Sequence, residues 1–348
     1  MVKKYIPVEY EKHQPYYIPP KRQEINPYIS EVAVKDPAMF FGRQEILADI
    51  LNNIHATNFA IFGPKRIGKT SLLHQIDYHL SRQTEAQFDY LPLLVSLHAV
   101  PEARFFKELM RKIVAVLRAK ERYPAEGLSL QVSQTQATDE PYDETSFYED
   151  LIILHAALKA QTNLPLRLVL LVDEGDILSH YRQETLAALR SIFMVSAGVY
   201  LKIVLTAEAK DNREWQLPGS PWFSIFGKQY QLTPFTPAEA QQLIEKPVPH
   251  YRYQPEAIDL ILERSQLVPR HIQNICRQAV AEMLTEQSGV ITRKHVETAL
   301  TKVDNLPEAP GAPTPVAVSY TQVEPSPQQN LAESKAPYQT TPPDEVES

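Results

Sequence analysis

The chain has 348 residues, 43 % hydrophobic and 22 % charged, with a formal net charge of −7. That is the composition of an ordinary soluble chain, long enough for one large or two modest domains. No apolar run approaches the ~20 residues that span a bilayer, the N-terminus has no apolar signal core, and the single cysteine, Cys276, excludes an internal disulfide and most cysteine-based metal sites.

A reducing cytoplasm is the expected location. Residues 1–36 are rich in proline and tyrosine and carry Lys3, Lys4, Lys12, Lys21 and Arg22. They read as an extended arm, disordered or laid across a domain surface. A helix is expected over 44–54.

The short apolar run 58–62 reads as a buried strand. It leads into Gly63-Pro64-Lys65-Arg66-Ile67-Gly68-Lys69-Thr70, which fits the phosphate-wrapping pattern G-x-x-x-x-G-K-[ST]. After it, Ser71-Leu72-Leu73-His74-Gln75-Ile76-Asp77-Tyr78 has apolar residues at helical spacing. Strand, glycine loop and helix together make a phosphate site. Gly63 and Gly68 let successive backbone N–H groups approach an anion, and the new helix adds its N-terminal potential. In that pattern Lys69 reaches the β- and γ-phosphates, and the Thr70 hydroxyl ligates Mg²⁺. Lys65 and Arg66 either add charge near the phosphates or are solvated loop residues.

Further strands are expected at 91–97, 168–172, 201–206 and 228–233. The helix at 105–122 is basic through Lys107, Arg111, Lys112, Arg118, Lys120 and Arg122, with an apolar face of Phe105, Phe106, Leu109, Ile113 and Leu117. Its cations form either a solvated face or a contact for a partner or nucleic acid. Residues 124–147 are polar and acidic and read as a long loop before a helix at 148–160. The apolar run 168–172 suits a strand buried on both faces and ends in Asp173-Glu174. Ligands bind at that edge of a parallel sheet. Asp173 fits the acid that holds Mg²⁺, and Glu174 the base that polarises the attacking water.

Strands and helices alternate over 37–247, the signature of a parallel sheet covered on both faces. Residues 248–303 turn all-helical, with apolar spacing near 255–264, 270–285 and 292–301. Cys276 shares a face with Ile272, Ile275 and Ala279, as a buried structural thiol does. Residues 304–348 hold nine prolines and most of the net negative charge, and read as a disordered tail. His74, His79, His98 and His155 have no metal-ligand spacing, so zinc is not expected. Trp215 and Trp222 flank a turn and read as hinge packing.

Over 26–303 the chain resembles AAA+-type P-loop ATPases of the STAND and archaeal-initiator branch, often labelled AAA-like or ORC-like. Beyond the phosphate loop and Asp173-Glu174, the resemblance rests on Asn26-Pro27-Tyr28 and Met39-Phe40-Phe41-Gly42-Arg43. It continues through Ser220-Pro221-Trp222-Phe223-Ser224-Ile225-Phe226, Tyr230-Gln231-Leu232-Thr233-Pro234-Phe235 and Ala238-Glu239-Ala240-Gln241-Gln242-Leu243-Ile244. It implies a sheet with an inserted strand, at 201–206, between the phosphate-loop strand and the Asp-Glu strand. It also implies a helical lid, and a segment containing Phe41 and Arg43 near the adenine.

By the same resemblance Thr206 is either a sensor of the γ-phosphate or an ordinary strand end. Val268-Pro269-Arg270-His271 occupies the place where relatives carry a motif that touches the nucleotide, with Leu267 where their glycine stands. Arg270 either reaches the phosphates or is a helix-surface arginine, and Arg190 and Arg213 are the candidates for an arginine finger.

The expected function is an ATP-binding, Mg²⁺-dependent, ATP-hydrolysing conformational switch acting through a protein partner or self-assembly. One alternative is a DNA-linked initiator or transposition helper. The lack of a basic face, and an ordered part ending near 303 without room for a winged helix, count against it. The other is a nucleotide-gated scaffold with little turnover. No membrane role is expected.

Overall fold

The computed structural model describes residues 26–29, 31–83, 87–124, 128–134, 141–196, 200–208, 220, 222, 225–303 and 320–323. Most of the expected arm, and Arg213 and Trp215, therefore lie outside the described residues.

Helix α1 (Gln44–Asn53) leads to β1 (Phe59–Phe62), and the glycine loop joins β1 to α2 (Lys69–Leu80). Then come β2 (Asp89–Ser96), α3 (Phe105–Ala119), α4 (Gln131–Gln134), α5 (Glu144–Lys159) and β3 (Leu166–Asp173). Helix α6 (Gln183–Ser191), β4 (Leu201–Ala207) and β5 (Lys228–Leu232) complete the core. The strand order is β2-β3-β4-β1-β5, all parallel. The 201–207 strand thus lies between β1 and β3, in the inserted position that the resemblance implies.

The continuous apolar run of β3 has a direct structural meaning. Leu168, Leu170 and Val172 enter a cluster with residues of α3, α5 and α6, while Val169 and Leu171 enter another with residues of α1 and α2. Alternate side chains feed opposite faces of the sheet, so a strand covered on both sides needs apolar residues at every position.

The region expected as a loop over 124–147 differs in part. Helix α5 starts at Glu144, because the Asp143 carboxylate caps it by accepting from Ser146 N at 3.0 Å. Buried Asp150 then accepts from Gln131 N (2.7 Å), Val132 N (2.9 Å) and the Tyr142 hydroxyl (2.9 Å), which fixes the short α4 onto α5. A buried carboxylate is tolerated where several donors satisfy it.

Three of the six cations named in the basic stretch over 105–122 are ion-paired within the chain. Lys120 pairs with Asp77 (2.5 Å), Arg122 with Asp89 (3.0 Å) and Arg111 with Glu108 (3.0 Å). Its apolar face, including Phe105, Leu109, Ile113 and Leu117, is buried.

A second apolar cluster is built by α7 (Pro237–Glu245), α8 (Pro255–Ser265), α9 (Pro269–Thr285) and α10 (Arg293–Leu300). A two-stranded parallel pair, β6 (Arg252–Tyr253) with β7 (Val290–Ile291), ties α8 to α10. Cys276 is fully buried there. This helical lid draws in Phe235 and Ala240, which precede residue 248. Within 304–348 the described residues form β8 (Tyr320–Val323), which pairs antiparallel with the outer edge of β5. No helix among the described residues is long and apolar enough to cross a membrane.

Candidate functional site

All four residues of β1 are buried, so the strand end is rigid where the loop begins. A Cβ on Gly63 would lie 2.9 Å from the Ile67 side chain and 3.1 Å from Leu232 O, closer than packing allows. Gly68 caps α2 with φ of +105°, a conformation that favours glycine. The sequence therefore directs the loop back over the first turn of α2. Lys69 follows it, donating from Nζ to Gly63 O (2.7 Å) and Pro64 O (3.1 Å). Burial lowers the Lys69 pKa, against the opposing pull of Asp176, Asp173 and Glu208.

The two strand ends beside the loop supply an acidic centre. The Thr70 hydroxyl donates to Asp173 Oδ2 at 2.7 Å, and the fully buried Thr206 hydroxyl donates to Oδ1 at 2.7 Å. Glu174 follows with φ of 57° and ψ of 43°, a left-handed conformation that costs a non-glycine residue about 1–3 kcal/mol. Its exposed carboxylate is engaged on both oxygens. Ser96 Oγ donates to Oε2 at 2.7 Å, and His98 Nδ1 lies 3.6 Å from Oε1. Asp176 accepts a hydrogen bond from Glu208 N, and Glu208 pairs with exposed Lys65 at 3.5 Å.

Two adjoining recesses lie over the loop. The larger, about 200 Å³, is lined by Arg66, Lys69, Thr70 and Arg270, and by residues 31–34 of the arm. The smaller, about 40 Å³, is apolar, with Phe40, Phe41, Ile67, Phe235 and Leu243 beside Arg43. Val34, Gly68, Ser71, Pro269 and Gln273 line both. Arg43 is buried, donates to Thr233 O at 2.5 Å and stacks 4.7 Å over the Phe235 ring. Burial pushes its pKa down to about 10.

Most of the residues singled out from sequence thus meet at one place. Arg66 and Arg270 both face the larger recess, while Lys65 turns to Glu208. Pro269 opens α9, and Arg270 stands in its first turn. Leu267, at the position where the resemblance leads one to expect glycine, has φ of 58°, in the left-handed region that favours glycine; its carbonyl accepts from Phe235 N at 2.9 Å. Burial, with the nearby Arg66 and Arg270 charges, lowers the His271 pKa.

Arg190 is exposed on α6, outside both recesses. Trp222 is buried in the apolar cluster on the α3–α5 side of the sheet and stacked on Phe226 at 5.8 Å. No group of three or more His, Cys, Asp or Glu side chains able to hold a metal occurs among the described residues.

Ser96, His98, Asp176 and Glu208 were not apparent from sequence. Their signal lies in register: Ser96 is the parallel partner of Asp173, so its side chain lies beside the acidic turn.

The model of the family described as novel STAND NTPase 1 matches residues 29–290. Among solved structures, the chain is similar to a Walker-type ATPase of Pyrococcus abyssi, at 16 % identity and a TM-score of 0.56, covering 78 % of this chain and 73 % of that one. The ORC2 protein of Aeropyrum pernix, in ADPNP–ADP complexes, is similar at 16 % identity and a TM-score of 0.55, covering 75 % and 67 %. The ORC1 protein of the same organism, in complex with DNA, is similar at 16 % and 0.51, covering 76 % and 66 %. At such identities the likeness shows the fold alone. No curated protein matches the chain. With the glycine loop, the Asp-Glu strand and the lid helices α7 to α9 inside the matched span, the chain belongs to the novel STAND NTPase 1 family, P-loop NTPases of the STAND and AAA+ type.

Proposed function

We propose that this protein binds ATP with Mg²⁺ and hydrolyses it to ADP and phosphate, using the cycle as a conformational switch read by a protein partner in the cytoplasm. The carrying observation is the Thr70–Asp173 hydrogen bond beside a recess lined by Arg66, Lys69 and Arg270. Three cations around one recess suit a polyphosphate. The apolar slot beside it suits a base.

Thr70 and Asp173 are hard oxygen donors of the kind that hold Mg²⁺ together with phosphate oxygens. Bound there, the ion would supply charge neutralisation on the phosphates. Lys69 exchanges its loop carbonyls for phosphate oxygens. Glu174, released from Ser96, accepts a proton from the attacking water as its oxygen bonds to the γ-phosphorus and the bond to the β-phosphate oxygen breaks. Arg270 carries the state of the phosphates into α9 and so into the lid.

The Ser96–Glu174 bond also favours a second reading, a nucleotide-gated scaffold, because it occupies one oxygen of the base with a hydroxyl donor. A DNA-linked role gains little, since Arg111, Lys120 and Arg122 are already ion-paired. Titration of the pure protein with fluorescent mant-ATP, with and without Mg²⁺, tests the binding. Phosphate release with and without DNA separates the readings. Tight Mg²⁺-dependent binding without turnover would establish the scaffold, and absence of binding would end both.

A further inference from the structure

One wall of the recess belongs to neither the sheet nor the lid. Ile29, Glu31, Val32, Ala33 and Val34 line it from the N-terminal arm. On one side the arm is anchored in the lid. Tyr28 is buried in the lid cluster and donates to Ile244 O, and Tyr253 donates to the Tyr28 hydroxyl at 3.2 Å. Asn26 Nδ2 donates to Arg277 O at 2.7 Å, Ile29 N donates to Gln273 Oε1 at 3.2 Å, and Glu31 lies 3.6 Å from Arg277.

On the other side the arm is anchored on α2, one turn from the phosphate loop. Val34 N donates to Ser71 Oγ at 3.0 Å, and Gln75 donates to Lys35 O at 3.0 Å. The two anchors are unequal. The lid anchor buries a whole aromatic side chain, whereas the α2 anchor has two hydrogen bonds and the partly buried Val34 side chain packed on the α1–α2 cluster. Separation of lid from core therefore breaks the Val34 and Lys35 contacts first, and the arm travels with the lid.

The size of the recess points the same way. Recesses of about 200 and 40 Å³ fall short of the roughly 300–1,000 Å³ of sites that enclose drug-sized ligands. A shift of the wall would let the two recesses enclose more of a nucleoside triphosphate. Ser71 stands where the shift is felt: its oxygen accepts from Val34, and among the described residues no protein acceptor takes its O–H proton. The same hydroxyl is thus free to donate to a phosphate while holding the arm.

We propose that residues 31–35 form a strap that closes the nucleotide site, held shut by Val34 on Ser71, and that its release from α2 gates nucleotide exchange. This rests on the nucleotide reading given above. A gate changes both directions of exchange, whereas a lost ligand contact changes dissociation alone.

The test is stopped-flow binding of mant-ADP to the full chain, comparing wild type with Val34→Pro, which removes the donor N–H, and with Tyr28→Ala, which releases the lid anchor. Circular-dichroism melts accompany both. Val34→Pro changes only a partly buried side chain at the edge of the α1–α2 cluster and serves as the decisive variant if Tyr28→Ala unfolds, with Val34→Ala, which keeps the N–H, as the control for that packing. Dissociation about five- to tenfold faster, the loss expected for one hydrogen bond, with association accelerated alongside and Kd changed less than either rate, supports the strap. Dissociation within twofold of wild type in folded Val34→Pro, or faster dissociation with unchanged association, overturns it. Failure of wild type to bind mant-ADP overturns the nucleotide reading itself, and the gate with it.

Discussion

Thr70 and Asp173 are 103 residues apart in sequence, and the hydroxyl of one donates to the carboxylate of the other at 2.7 Å. The bond fastens the first turn of α2 to the end of β3. Since Thr206 occupies the second oxygen, the carboxylate is oriented before any ligand arrives. Asp173→Asn keeps the shape but loses the charge. We expect mant-ATP affinity in this variant to become the same with Mg²⁺ as with EDTA, while wild type binds more tightly with Mg²⁺. A retained Mg²⁺ effect would remove Asp173 from the metal site.

Lys69→Ala is expected to abolish tight mant-ATP binding while leaving the melting midpoint near that of wild type. The side chain contacts loop carbonyls at the sheet edge rather than the apolar clusters. Charge-assisted hydrogen bonds of this kind contribute about 1.5–3 kcal/mol, roughly ten- to a hundredfold in affinity. Unchanged affinity in the folded variant would show that the loop does not grip phosphate.

Glu174 and Ser96 make opposed predictions. Glu174→Gln should bind ATP as wild type does and release phosphate about 10²- to 10⁴-fold more slowly, the usual loss for a general base. Ser96→Ala should raise turnover several-fold, because it frees the Glu174 carboxylate from a 2.7 Å donor. Steady-state phosphate release reads both. A fall in turnover on Ser96→Ala would mean that Ser96 holds Glu174 in its working position.

Cys276 should be inert in the native protein. The thiol is fully buried, and burial pushes its pKa up to about 12, with the Tyr253 and Tyr28 hydroxyls pulling the other way. A thiol colorimetric reagent at pH 8 should therefore react only as fast as the lid unfolds, and adding denaturant should release one thiol per chain. Rapid modification without denaturant would mean that the lid opens around α9.

The parts of this fold that were legible in the sequence are those with a local cause. The glycine loop depends on residues that are neighbours in the chain, and β3 declares itself because burial on two faces leaves no polar position. The lid helices α8, α9 and α10 start within two residues of their expected positions, each marked by apolar spacing. What was not legible depends on register between distant segments. Ser96 is an unremarkable strand end until β2 is laid parallel to β3 beside Asp173. Asp150 falls within the helix expected at 148–160, and its role depends on Gln131 and Val132 folding back on it. The path of residues 31–35 has no sequence signal at all, since two of its fixing contacts are backbone groups.

The strand β8 occupies the free edge of β5, and β5 is the immediate neighbour of the phosphate-loop strand. A sheet edge accepts almost any extended backbone, which makes bare edges sites of promiscuous pairing. Here the occupant belongs to the same chain, so it competes without the concentration penalty of a separate strand. A free peptide at micromolar concentration loses that contest unless its side chains add affinity of their own. The chain thus sets a threshold at its own margin: any strand that would take this edge, one strand from the phosphate loop, must first outcompete β8.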